Sequence, residues 1–256
     1  MVSEYDLVNK TMPFTPNMRM ADLIHADYHL IPIIGHFNIE YGFGNKTVKD
    51  VCESNGINVW FFLEIINLFH NSQYFPSEAL QNFNTSLIIQ YLSNTHQFYL
   101  GVKIPEIEEY IDEMERKLTK EGARNVKLLS GFFKNYKEEL QSHFQSEESE
   151  VFPYVMSLEA AVDKGTYDDD LLTAIGTDPV LKFDRIHNNL ESNLSDLKNL
   201  IIRHLPPLIC RELFQKLLTE LYSLEEDLEK HTRIEEKVLV PKVKYLEQLI
   251  LKQSGR

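Results

Sequence analysis

An all-α protein, an up-down-up-down four-helix bundle preceded by a small helical domain, follows from three observations on this 256-residue chain. Apolar residues recur at three-and-four spacing over long stretches from about Ser86 onward, the mark of amphipathic helices. Alternating apolar and polar runs are nearly absent, so no sheet is expected. Glycine and proline number only ten each, and their few positions divide the helical part cleanly.

Residues 1–75 read as a small helical N-terminal domain. Short helical pieces at 20–29 and 30–40 lead into the turn-like Tyr41-Gly42-Phe43-Gly44-Asn45, and pieces at 47–54 and 58–68 follow with Gly56 between them. Trp60 and Phe61-Phe62 are expected to form this domain's core. The helices flanking Gly56 have the outline of a helix-turn-helix, but their surroundings are not basic, and a plain helical module is the preferred reading. The polar segment 70–84 leads on to the bundle, which spans 80–252.

The bundle helices show in runs such as Ile107, Ile111, Met114 and Leu118, or Leu213, Leu217, Leu221, Leu224 and Leu228. Gly122, Gly165 and Pro206-Pro207 supply the breaks. Four helices result, at 85–119, 123–163, 168–204 and 207–252. Pro105 is expected to kink the first, and Gly176 and Pro179 to make the third irregular near its start. Asp168–Asp170 suits a helix start, where carboxylates meet the positive end of the helix dipole.

Composition narrows the function. Lys and Arg total 26 against 39 Asp and Glu, a formal charge of −13, which argues against non-specific nucleic-acid binding. The two cysteines, Cys52 and Cys210, form neither a disulfide framework nor a CxxC zinc site. The sequence start shows no export signal and no apolar run reaches the ~20 residues of a membrane span, so a cytoplasmic protein without membrane contact is expected. No phosphate-binding loop, dinucleotide-binding glycine pattern or nucleophile elbow occurs.

One repeat carries chemistry. His143-Phe-Gln-Ser-Glu147-Glu148 and His231-Thr-Arg-Ile-Glu235-Glu236 share the pattern H-x3-E-E-x2, each followed by two apolar residues and a proline. Positions i and i+4 lie on one helix face a turn apart, so each His and its Glu can address one point. His96, His143, His187 and His231 are separated by 47, 44 and 44 residues, and the midpoints fall near 119.5, 165 and 209, at the breaks. Residues equidistant from a connecting turn stand at the same height in an antiparallel bundle. All four histidines can therefore reach one layer, with Glu147 and Glu235 one turn along. Imidazole and carboxylate together suit iron, manganese or zinc rather than calcium. Six such ligands exceed one tetrahedral zinc and fit two ions bridged by carboxylates and an oxygen species. Two iron ions are the first choice, with manganese or zinc as alternatives.

These repeats, with single histidines on the other two helices, resemble hemerythrin-like (HHE cation-binding) domains over about residues 80–250. A small helical domain ahead of such a bundle is further similar to the repair-of-iron-centres family of di-iron proteins. That resemblance implies four His and two bridging Glu ligands, carried over by motif to His96, His143, Glu147, His187, His231 and Glu235. It also implies handling of nitric oxide and recovery of iron–sulfur clusters damaged by nitric oxide or oxidants. At the N-terminus the sequence departs from the family, whose Tyr-Cys-Cys-Gly-Gly-like stretch is replaced by Tyr41-Gly42-Phe43-Gly44-Asn45, with Lys46 retained. Both thiols are missing and Cys52 lies downstream, so thiol-assisted iron delivery or electron transfer is not expected of this chain.

Two functions from different classes follow. In one, the metal site binds or reacts with nitric oxide, oxygen or peroxide and supports repair of iron–sulfur proteins under nitrosative or oxidative stress. In the other, the bundle is a non-enzymatic oxygen or nitric oxide sensor or carrier that signals through the N-terminal domain. A homodimer is compatible with either. Among the remaining histidines, His204 is read as a helix-end cap, and His25, His29 and His36 as surface or domain-contact residues, with Asp22 near the first pair. Glu148 and Glu236 are rotated about 100° from their neighbouring ligands, which suits hydrogen bonding to ligands or a surface position.

Overall fold

The computed structural model describes residues 13–117, 120–175, 183–204 and 211–254, and at 120–124, 183–189 and 204 the backbone alone. Helices joined by turns account for nearly all of these residues, and the one β feature among them is an isolated antiparallel bridge between Arg19 and Thr47. The all-α expectation is met. The chain divides into two compact units, the first comprising the described residues up to Thr95 together with Lys237–Leu239, the second comprising His96–Glu236 and the described residues from Val240. Among the described residues, no helix is long and apolar enough to cross a membrane.

In the first unit the helices are α1 (Met20–Ala26), α2 (Leu30–Gly35), α3 (Val48–Ser54), α4 (Val59–His70) and α5 (Ser77–Gln81), with the start of α6 (Thr85–Phe98). Local chemistry fixes their starts. Thr47 and Asp50 form a reciprocal capping box on α3, each side chain accepting the other's backbone N–H at 3.0–3.1 Å. Asn58 Oδ1 accepts from the N–H groups of Trp60 and Phe61 at the start of α4. Gly42 and Gly44 adopt φ of +102° and +58°, which explains two glycines in the predicted turn. Met20, Leu23, Ile34, Cys52, Phe62 and Ile66 are buried. Trp60 corrects the expected core, because it is 65% exposed while Phe61 and Phe62 are buried. As the second residue of α4 it lies about 100° around the helix from Phe61 and faces solvent. Of the two positions expected for His36, surface or domain contact, the structure excludes the first: it is buried, with Nδ1 3.4 Å from the Tyr91 hydroxyl.

The second unit continues with α7 (Ile104–Lys117), α8 (Lys120–Ser146), α9 (Phe152–Lys164), α10 (Asp169–Ile175), α11 (Phe183–His204), α12 (Arg211–Ile234) and α13 (Val240–Ser254). Helices α7, α8, α11 and α12 pack in chain order, and α12 closes back on α7. This is the four-helix bundle. Its core is a ladder of three-and-four steps, including Ile104, Ile107, Ile111 and Met114 on α7 and Val126, Leu129, Phe133, Tyr136 and Leu140 on α8. Each fully buried leucine or isoleucine contributes roughly 1.5–3 kcal/mol. A Lys103–Glu220 bond of 2.5 Å and a Lys137–Glu108 pair at 2.8 Å add polar links between helices. Gly165 (φ +64°) ends α9 in the left-handed conformation, and Asp168 Oδ1 accepts from Leu171 N–H at the start of α10. Gly122 does not break the chain, since α8 begins at Lys120 and runs through it. Gly176, Pro179 and Pro206-Pro207 lie outside the described residues.

Among the described residues, three helices widen into a single π turn, at Tyr99–Lys103, Glu147–Val151 and Glu235–Leu239. The cause is a proline six residues after each turn begins: Pro105, Pro153 and Pro241. Proline has no N–H, and its ring collides with the carbonyl four residues back. The residue before each proline instead donates five residues back: Ile104 to Tyr99, Phe152 to Glu147 and Val240 to Glu235. Pro105 thus bulges its helix instead of ending it, a form that often marks functional sites.

Candidate metal centre

The core ladders run straight into ionisable residues. On α8 the buried series Phe133, Tyr136 and Leu140 continues to His143 and then Glu147, the first residue of its π turn. On α12 the series Leu217, Leu221 and Leu224 leads on to His231 and Glu235. His96 lies near the end of α6, one turn after buried Leu92. These five side chains are each at most 5% exposed. Burying carboxylates and imidazoles at apolar positions is costly unless they are paired or hold a metal.

They are drawn together tightly. His96 Nε2 lies 3.3 Å from Glu147 Oε2, and His143 Nε2 lies 3.1 Å from the other oxygen, Oε1. His231 Nε2 is 3.1 Å from Glu235 Oε1 and 3.2 Å from His96 Nε2. Ligand atoms of His96, Glu147, His231 and Glu235 all fall within 4.8 Å of one another. Neighbouring ligands of one ion with bonds of about 2.1 Å stand roughly 3.0–3.4 Å apart, so these spacings fit a shared cation. The nitrogen and carboxylate donors suit iron, manganese or zinc. His143 joins the group through Glu147. The sixth expected residue, His187, falls on α11, three residues before buried Leu190. Its side chain lies outside the described residues, as does that of His204.

The surroundings of His96 set its orientation. Its ring stacks on Phe144 at 4.0 Å with 13° between planes and is nearly parallel to Phe152 at 5.7 Å. Its Nδ1 lies 3.0 Å from Glu148 Oε1. An ionised carboxylate only accepts, so Nδ1–H donates to Glu148 and Nε2 faces the cluster, the arrangement that tunes many metal-bound histidines. Burial alone would lower the imidazole, but Glu147 and Glu148 outweigh it and hold its pKa up to about 9. A metal ion must therefore displace a proton from His96 at neutral pH.

A cavity of about 30 Å³ adjoins the cluster, lined by His143 and His231 together with Tyr136, Leu140, Phe144 and Leu194 among others. Burial, and then the Glu225 and Glu139 carboxylates, raise the Tyr136 phenol above its ordinary range, so it stays protonated.

Sequence reasoning missed two parts of this site. The stacking of Phe144 and Phe152 on His96 left no periodic signal distinct from core packing. The π turns did leave one, in the prolines that follow three of the four predicted ligand segments, at ten residues after His143 and His231 and nine after His96.

A helical bundle whose core ladders end in buried histidines and glutamates defines a metal-binding bundle protein. The sequence profile of the Hemerythrin HHE cation binding domain matches residues 105–243, more than half of the chain, and the chain belongs to that family. His96 precedes the matched segment. No curated protein matches the sequence significantly.

Proposed function

We propose that His96, His143, Glu147, His187, His231 and Glu235 hold two iron ions, with Glu147 and Glu235 bridging them. The observation carrying this reading is the Glu147 carboxylate, whose two oxygens meet histidines from two different helices. Iron so held would supply coordination positions and electrons for a small ligand such as nitric oxide, oxygen or peroxide. The chain's own part is to fix the donor set, exclude bulk water through Phe144, Phe152 and the core ladders, and orient His96 through Glu148. Support of iron–sulfur cluster repair under nitrosative or oxidative stress, in a reducing cytoplasm, is the role this chemistry fits. The test is exposure of the reduced, iron-loaded full chain to nitric oxide, with alanine variants of the six residues alongside. Consumption or tight binding of nitric oxide, lost in the variants, supports the reading. A loaded protein inert to nitric oxide, oxygen and peroxide, or variants that behave like wild type, overturns it.

One observation favours the second reading, a non-enzymatic sensor or carrier. Cys52 is fully buried, and burial followed by the nearby Glu53 charge raises its thiol to about 12. It is therefore neither accessible nor readily ionised, and it does not replace the missing thiol pair. Reversible binding of nitric oxide without turnover, and no restoration of a damaged cluster enzyme, would select this reading over repair.

A further inference from the structure

We propose that Tyr136 is the hydrogen-bond donor to a diatomic ligand held in the chamber beside the metal cluster, and so selects ligands that carry an acceptor atom. The inference rests on the iron reading above and adds a residue outside the six ligands. Tyr136 lies on α8, seven residues and two helical turns before His143, on the same face. Its side chain is 2% exposed, and its hydroxyl is buried with no hydrogen-bond partner among the described residues. A buried hydroxyl without a partner destabilises the fold, so its retention in a core ladder, where Phe133 stands one step earlier, calls for an acceptor.

The chamber offers the space. At about 30 Å³ it holds a molecule of two heavy atoms, since one water needs roughly 10–15 Å³ by this measure. Its wall is mostly apolar, with Leu140, Phe144, Leu190 and Leu194, and it includes the two histidines of the H-x3-E repeats. The other polar groups lining it are poorly suited to donate. His143 and His231 turn Nε2 to Glu147 and Glu235. Glu191 and Glu225 offer only acceptor oxygens when ionised, and Glu225 already accepts from Lys198. Thr232, the remaining hydroxyl in the lining, is only half-buried. Among the described residues of the lining, Tyr136 supplies a fully buried hydroxyl donor with no acceptor of its own.

The test is Tyr136→Phe in the full chain, with nitric oxide as the probe. Wild-type and variant proteins are loaded with iron, reduced and compared at equal iron content. Loss of one hydrogen bond to a polarised ligand speeds nitric oxide release about tenfold. The N–O stretching frequency should shift in the variant, and the small change on transfer to D2O expected of wild type should be absent from it. The metal-free variant should melt no lower than the metal-free wild type, because no hydrogen bond of the protein itself is removed. Equal release rates and unchanged frequencies overturn the inference while leaving the iron reading intact. A lower melting temperature of the metal-free variant also overturns it, since the hydroxyl would then serve the fold. A wild-type protein that takes up neither iron nor nitric oxide overturns both.

Discussion

Glu148 offers the sharpest test of how the chain orients a metal-facing histidine. Glu148→Ala removes the acceptor 3.0 Å from His96 Nδ1 and leaves the six proposed ligands in place. Losing such a partner of a metal-bound histidine typically costs 10–100-fold in metal affinity. The Glu148 side chain is 43% exposed, so water can partly replace it and the lower end, about tenfold or ~1.4 kcal/mol, is expected. Affinity alone would blur the effect. Removing Glu148 also lowers the raised pKa of His96, which eases metal capture at neutral pH by weakening the competing proton. The release rate from the loaded protein avoids that opposition, because protonation of the empty site affects capture only. With iron-loaded protein and excess chelator under anaerobic conditions, Glu148→Ala should release metal about tenfold faster. Glu148→Gln, which keeps a neutral acceptor of about half the strength, should fall between. Release from Glu148→Ala at the wild-type rate would refute the reasoning.

Three further outcomes follow from the structure. Asp27 accepts from His70 at 2.8 Å and from His29 at 3.0 Å. Burial would raise its pKa, but the His70 and His29 hydrogen bonds outweigh it and bring the group below the ordinary 3.8. Its stabilising contribution is then complete above 3.8 and is lost as pH falls through the lower folded value, so urea unfolding of wild type should weaken with acid in that window and Asp27→Asn should flatten that dependence. Pro153→Ala and Pro241→Ala return an N–H and remove the ring clash behind two π turns; circular dichroism should show helix content retained or raised while iron retention falls, and unchanged retention would detach the turns from the site. In the first unit, Trp60→Ala should change stability by no more than about 0.5 kcal/mol, whereas Phe62→Ala should cost roughly 3–5 kcal/mol, as read by denaturant midpoints.

What the sequence revealed depended on how far its signals were periodic. The three-and-four ladders of α7, α8 and α12 and the near-equal histidine spacings are properties of long helices, whose rise per residue is constant. With the repeated H-x3-E pattern they led to His96, His143, Glu147, His187, His231 and Glu235, of which the structure gathers all but His187, whose side chain lies outside the described residues. Trp60 misled because an aromatic beside two phenylalanines carries no sign of which face it occupies when α4 spans just Val59–His70. The Asp27–His70 pair joins residues 43 apart in sequence, a tertiary contact with no local pattern; only Asp22, the acid in register with His25, stood out. Gly122 misled in another way. A glycine is tolerated inside a helix at about 1 kcal/mol, and α8 runs from Lys120 straight through Gly122. The π turns were visible as prolines, yet proline more often ends or kinks a helix than widens it.

The central claim is that six side chains from four helices share a two-ion site, and stoichiometric metal loading tests it most directly. Anaerobic ferrous iron titrated into the metal-free full chain, followed by removal of loose iron and elemental analysis, should leave about two iron atoms per chain. His187→Ala and Glu147→Ala should each retain markedly less. Retention of one ion or none by wild type, or full loading of the Glu147→Ala variant, would contradict the account.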